Sequence, residues 1–330
     1  MIAATQALSV RDLSVRFVAR DGDVEAVNGV SFDLDRSQVL GILGESGSGK
    51  SVTLRALIGL LPAERSVIGG TIGFGGTDIP AAQTTRLAEL RGKKIAMIFQ
   101  EPMLALDPVF TIGDQIAEAI VRHEGASWPD AWTRAQELLE LVQIPSAARR
   151  LRNYPHEMSG GMRQRAMIAL ALSCRPEVLL ADEPTTALDV TVQIQIVLLL
   201  RSLQRELGMS VIFVTHDVGV AVEISDRLAV MYSGRIVEAG TTAKVIGAPR
   251  HPYTAGLLGS SVRTARKGVP LRTIPGLPPD LRRLPAGCSF APRCLHAAPA
   301  CQEAMPSLVA LEAGHLSRCR RVVEEGIDLR

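Results

Sequence analysis

Aromatic residues are scarce in this chain. Two Trp, three Tyr and seven Phe supply 4% of its 330 residues. So few ring faces disfavour sequence-tolerant binding of single strands, which relies on base stacking. Charge of one sign is lacking too: 36 Lys and Arg stand against 34 Asp and Glu, for a formal net charge of +2. That balance gives no strong field to gather nucleic acid, and no nucleic-acid partner is expected. No apolar run approaches the ~18–20 residues that carry a helix across a bilayer. The opening stretch, MIAATQALSVRDLSV, has no charged leader with an apolar core, so a chain made and kept in the cytoplasm is expected. Cysteine is nearly missing before position 288, where Cys174 stands alone. The length admits two domains and one large core.

What is present begins at 44–51, GESGSGKS. Gly44, Gly49, Lys50 and Ser51 occupy the fixed places of the pattern G-x-x-x-x-G-K-[ST]. Glycines, with Ser46 and Gly47 between them, let successive N–H groups turn inward as an anion nest. A helix starting here, continued through Val52 into VTLRALIGLL (52–61), adds its positive end. Lys50 is expected on the β- and γ-phosphates and Ser51 on Mg²⁺. The preceding QVLGIL (38–43) suits a buried strand, as this motif requires.

A second apolar run, VLLADEP (178–184), reads as a buried parallel strand with Asp182 and Glu183 at its C-terminal end. Ligands of open α/β sheets bind at that end. Asp182 is expected to hold Mg²⁺ through water, and Glu183 to polarise the water that attacks the γ-phosphate. Alone, such a pair serves equally as a solvated strand cap; beside the glycine cradle it reads as chemistry. Further along, Ser159, Gly160 and Gly161 open the helical run MRQRAMIALAL (162–172), a hydroxyl and glycine N–H groups forming a second anion site at a helix start.

The remaining pattern is coarse. Residues 7–34 predict two or three strands around the polar loop RDGD (20–23). Helical periodicity covers IGDQIAEAIVRH (112–123) and AWTRAQELLELV (131–142). A strand at 178–182, a helix at 191–207, a strand at 211–215, a short helix near 218–224 and two strands around Ser233-Gly234 follow. From Pro249 onward prolines accumulate (Pro270, Pro275, Pro278, Pro279, Pro285, Pro292, Pro299, Pro306), and regular helix is not expected there. Residues 250–330 hold twelve Arg and Lys against six Asp and Glu, a surplus that suits a solvated face, a lipid surface or acidic neighbours.

In this order, the cradle, SGG, the Asp-Glu pair and His216 after VIFVT (211–215) resemble the ATP-binding cassette (ABC) ATPases over the first 245 residues. The resemblance implies an α/β fold, a P-loop NTPase of the ABC type, with a mixed-sheet core in 1–245 and a helical subdomain near 101–175. It implies that Gln100, after IAMIF, ligates Mg²⁺ and senses the membrane partner. MSGGM (158–162) is similar to the signature usually written LSGGQ; Met158 keeps the apolar anchor, and Met162 departs from the pattern. Ala187, Leu188 and Asp189 resemble the D-loop, and His216 the switch histidine on the γ-phosphate. Phe17 is the aromatic expected to stack on adenine. EPMLALDP (101–108) would line the groove for a coupling helix of the membrane subunit. In the family two cassettes pack head to tail, each signature facing the other's ATP.

Four cysteines, Cys288, Cys294, Cys301 and Cys319, fall in the proline-rich segment. Clustered cysteines in the cytoplasm suggest metal rather than disulfides. Their intervening counts of five, six and seventeen are not the tight pairs common in zinc sites, and four thiolates suit either Zn²⁺ or an iron–sulfur cluster. Cys174 reads as buried packing. His251-Pro252-Tyr253 followed by GCSFAPRC (287–294) resembles the C-terminal extension of oligopeptide/dipeptide importer ATPases, assigned here to 246–330. That resemblance implies a 4Fe–4S cluster in a structural role, with zinc or unmetallated thiols as the alternatives.

Together these imply an ATPase that powers a bacterial importer of di- or oligopeptides or a related solute, with ATP and Mg²⁺ as cofactors. The implied partners are a second ABC ATPase subunit in a heterodimer, two transmembrane permease subunits and an extracytoplasmic solute-binding protein. The implied location is peripheral, on the cytoplasmic face of the cell membrane. The rival readings are a soluble ABC ATPase in a non-transport assembly and a cluster-dependent sensor or assembly module.

Overall fold

Alternation and burial set the strands. The computed structural model describes residues 6–186, 188–260, 273–312 and 314–329; Ala187 and Pro270, singled out above, lie outside them. The first strands are β1 (Gln6–Phe17), β2 (Val24–Asp35), β3 (Val39–Leu43), β4 (Ser66–Phe74), β5 (Thr77–Pro80) and β6 (Ile95–Ile98). The later ones are β7 (Val178–Asp182), β8 (Ser210–Thr215), β9 (Arg227–Tyr232), β10 (Arg235–Thr241), β11 (Val309–Glu312) and β12 (His315–Ser317). The described chain forms two compact units. The first takes in the residues up to Leu34, Gln38–Thr84 and everything from Phe213 on; the second takes in Asp35–Ser37 and Thr85–Ile212.

In the first unit, β1 and β2 flank the loop 18–23, so residues 7–34 hold two strands. Leu8, Val10, Leu13 and Val15 of β1 are buried, and their alternation breaks where Asp12 takes a φ of 49°. The register against β4 shifts at the same place, between Arg11 and Ser14, as a bulge does. These strands form a four-stranded sheet in the order β2-β1-β4-β5. A second strand series runs β11-β12-β10-β9-β3. Every residue of β3 is buried, as a continuous apolar run in a covered sheet should be. It pairs in parallel with β9, and β9 turns into β10 through Ser233 and Gly234, both at positive φ.

The proline-rich region carries more regular structure than expected. Helix Pro252–Gly259 has its proline in the first turn, where the missing N–H would be unsatisfied anyway. A short helix, Arg320–Glu325, follows Cys319. β12 pairs antiparallel with β10. The expectation of no regular helix here failed because it counted prolines without their positions relative to helix starts.

In the second unit, β6 and β7 pair in parallel from Ile95↔Val178 to Ile98↔Ala181. Its helices start where short polar side chains accept from the first turn. Thr111 caps Ile112–Glu124 by accepting from Asp114 N, and Ser127 caps Trp128–Leu141 by accepting from Asp130 N. Asp189 caps Val190–Leu207 by accepting from Val192 N. Such caps satisfy donors that a helix leaves unpaired. Residues 101–108 are a short helix, Pro102–Ala105, and a loop; Leu104 on the helix and Val109 and Phe110 just after the loop are exposed.

Candidate functional site

β3 delivers the chain to Gly44 at the edge of a tight loop. A Cβ at Gly44 would stand 2.3 Å from Met231 O, and one at Gly49 would stand 2.3 Å from Ala26 O, with Gly49 at a φ of 100°. Neither position admits a side chain. Gly47 has a φ of 79° but nothing within 4 Å of where a Cβ would stand; it and Ser46 form the exposed rim. Helix Lys50–Leu57 begins inside the motif at Gly49, and no side chain caps it, which leaves its first-turn N–H groups to an anion. Lys50 is buried, its Nζ donating to Gly44 O at 2.8 Å and Glu45 O at 2.9 Å. Ser51 and Val52 follow, half-buried. A glycine-built loop with an uncapped helix start and a lysine ammonium held on its own carbonyls has the donor set that suits a polyphosphate and its metal ion.

His216 lies just past β8, exposed, and the next residue caps helix Val218–Ile224. Phe17 is the last residue of β1, half-buried and opposite Ser66 of β4.

In the second unit, Asp182 ends β7 and is fully buried. Glu183 follows with a φ of 45°, a left-handed conformation costly for a side chain with a Cβ and concentrated at functional sites. Its Oε2 accepts from Thr186 Oγ1 at 3.1 Å and faces Gln100 Nε2 at 3.5 Å. Gln100 and Glu183, 83 residues apart, are thus side by side. Ser159 caps helix Gly160–Leu172, accepting from Met162 N at 3.4 Å. Ser159, Gly160, Gly161, Leu188 and Asp189 line one open cavity. A Cβ at Gly161 would meet Val192 Cγ1 at 2.8 Å, so the glycine allows helix Val190–Leu207 to approach. Met158 is buried, as an anchor would be.

All four C-terminal cysteines line a single cavity, together with Arg320 and Arg321. Burial pushes the thiols of Cys288 and Cys294 above the ordinary value, and that of Cys319 to about 11. Among the described residues no group of three or more His, Cys, Asp or Glu stands in an arrangement that could hold a metal ion. Cys174 is buried, its thiol also pushed up by burial and its Sγ 3.7 Å from Ala119 O, which suits packing.

Sequence reading missed what surrounds Glu45. Its N–H donates to Tyr253 Oη at 2.8 Å, and its carboxylate takes two hydrogen bonds from Arg293, at 2.7 and 3.0 Å. Arg293 lies 248 positions away in the chain, and no local pattern announces such a contact.

Comparison with known proteins agrees with the geometry. The family described as "ABC transporter" matches residues 27–186, and that described as "Oligopeptide/dipeptide transporter, C-terminal region" matches residues 237–301. The chain is 49% identical to the oligopeptide transport ATP-binding protein OppD of Salmonella typhimurium, over 96% of this chain and 94% of that one. It is 47% identical to the dipeptide transport ATP-binding protein DppD of Bacillus subtilis, over 94% and 93%. Among solved structures it resembles the ATP-binding cassette MJ0796, in a dimeric post-hydrolysis state bound to ADP and Pi. The TM-score is 0.63 at 27% identity, covering 71% of this chain and 98% of that one. It also resembles cbiO1 of Clostridium perfringens, part of the transporter complex cbiONQ, with a TM-score of 0.62 at 27% identity, covering 74% and 91%.

Proposed function

This chain belongs to the ABC transporter family and is an ABC-type ATPase, and from that premise we propose that it powers import of di- or oligopeptides through a membrane permease. The observation that carries the reading is the union, in one chain, of the nucleotide cassette with the C-terminal region of oligopeptide/dipeptide transporters. Relatives matching over nearly the whole chain bear the names of oligopeptide and dipeptide transport proteins.

The roles follow from chemistry. Gly44, Ser46, Gly47, Gly49 and Val52 shape and enter the cradle; Lys50 binds the β- and γ-phosphates; Ser51, Gln100 and Asp182 serve Mg²⁺. Bound Mg²⁺ neutralises charge developing on the phosphates. Glu183 orients and deprotonates the attacking water, held for that task by Thr186 and Gln100. His216 contacts the γ-phosphate and Phe17 stacks on adenine. Ser159, Gly160, Gly161 and Asp189 complete the site of a second ATPase subunit, with a heterodimer as the expected pair. Support comes from Val190, Ile194 and Leu198, exposed at one-turn intervals on the helix that Asp189 caps. ATP closes the pair only because it binds the closed state better than the open one.

No helix among the described residues is long and apolar enough to cross a membrane. Peripheral attachment to the cytoplasmic face, through two permease subunits fed by an extracytoplasmic solute-binding protein, is part of the proposal. So is a 4Fe–4S cluster on Cys288, Cys294, Cys301 and Cys319. Its support is that all four thiols line one cavity and that their spacing in the chain lacks the tight pairs common in zinc sites. Burial raises the Cys294 thiol, and Arg321 on the cavity lining acts against it in favour of the thiolate. The cluster would act as a staple for a segment poor in regular structure.

Reconstitution with the cognate permease, second ATPase and binding protein tests the function: labelled peptide should enter vesicles only with ATP. Hydrolysis without peptide entry overturns peptide import. Anaerobically purified protein should absorb near ~400 nm and contain iron and sulfide; colourless protein with stoichiometric zinc overturns the cluster.

A further inference from the structure

The residue that enters the phosphate cradle first carries a charge of the wrong sign. Glu45 follows Gly44, and its carbonyl accepts from Lys50 Nζ. A carboxylate here stands beside the place where a triphosphate is to bind, and like charges repel. The C-terminal segment meets this charge directly. Arg293 Nη1 and Nη2 grip the two carboxylate oxygens in a fork, the geometry that makes Arg–carboxylate pairs strong. Arg293 is itself fixed. Its Nε donates to Pro275 O at 2.9 Å, Nη1 reaches Tyr232 Oη at 3.3 Å, and its side chain is 5% exposed. The guanidinium lies 5.8 Å from the Tyr232 ring centroid and 6.0 Å from that of Phe290.

A second grip acts on the backbone. The Glu45 N–H donates to Tyr253 Oη, which removes one amide from the nest and fixes where the loop begins to turn. Tyr253, Tyr232 and Phe290 pack ring against ring, with centroids 4.5 to 5.4 Å apart. These rings share a buried cluster with Leu43, the last residue of β3, and Cys288 and Cys294 pack against it. All of these residues belong to the first unit.

We propose that Arg293 and Tyr253 are positioning residues for ATP: the C-terminal segment neutralises Glu45 and holds its backbone, and so sets nucleotide affinity from outside the cassette. The inference rests on the cradle being the ATP site. It gives the C-terminal segment a task beyond its own folding, because Arg293 adjoins Cys294 and whatever disorders the cysteine cavity loosens the phosphate loop.

The test is a charge-removing double substitution in the full-length protein, read as KM for ATP and kcat. Arg293→Met should raise KM roughly tenfold, the weight of one unscreened charge near a polyanion, with kcat within about twofold. Adding Glu45→Gln to Arg293→Met should bring KM most of the way back, because the repelling charge is gone. Thermal stability should stay at the lower value, which a merely structural role would not separate from KM. Tyr253→Phe removes only the hydroxyl and should raise KM severalfold, and it carries the test where Arg293→Met fails to fold. Unchanged KM in either single variant, or no recovery in the double, overturns the proposal. A wild-type protein that fails to bind ATP at all would instead sink the reading of the cradle.

Discussion

The imidazole of His315 lies with Nε2 2.8 Å from Glu238 Oε1, and both side chains are wholly buried. Glu238 is on β10 and His315 opens β12, so the pair bolts the C-terminal strand to the strand series that contains β3. The same Glu238 oxygen accepts from Arg250 N at 2.7 Å, drawing in the entry to helix Pro252–Gly259. Removing His315 leaves the buried Glu238 carboxyl only the Arg250 N–H, and a buried hydrogen-bonding group that loses a partner costs roughly 1–3 kcal/mol. His315→Ala should therefore lower the denaturation midpoint sharply, measured by urea titration. A loss below about 1 kcal/mol would show that the pair is not a structural bolt.

Glu183→Gln keeps the shape of the side chain and removes its basicity. ATP binding should persist, while steady turnover falls by roughly 100-fold or more. Mg-ATP should then hold the subunit pair closed, visible by size-exclusion chromatography with the cognate partner. Turnover near the wild-type rate would remove Glu183 from the role of base.

The cradle's glycines should differ in tolerance. Gly49→Ala places a methyl 2.3 Å from a backbone oxygen and should abolish ATP binding. Gly47→Ala meets open space and carries only left-handed strain, about 1–2 kcal/mol. Nucleotide binding by fluorescence titration separates the two; equal losses would mean that the close approach to Ala26 does not matter.

Acid should weaken the protein through His251. Burial, with the charge of Arg318 adding to it, pushes this imidazole down to about 3. Below the ordinary value of about 6.5 the unfolded chain takes up a proton that the folded chain refuses. Stability from this group is complete above that pH and declines as pH falls toward 3, by up to about 1.4 kcal/mol per unit. His251→Asn keeps a side chain able to cap helix Pro252–Gly259 and should flatten the slope between pH 6.5 and 4.5. An unchanged slope would assign the acid sensitivity elsewhere.

Much of this protein was legible residue by residue. The spacing of Gly44, Gly49, Lys50 and Ser51, the carboxylates ending an apolar run at Asp182, and Ser159 before two glycines are local patterns. Strand periodicity, helix caps and glycine turns act within a few residues, so sequence spacing carries them. Helix Val190–Leu207 and strand β8 fell within a residue of their expected bounds for that reason. Three features came only from the fold. The pairing of Gln100 with Glu183 depends on β6 lying beside β7. The gathering of four cysteines around one cavity depends on β12 returning to β10 and on the turns after Phe290. The grip of Arg293 on Glu45 joins residues 248 positions apart. Each is a long-range contact chosen by packing and charge, and the sequence between its partners leaves no period or spacing that would reveal it.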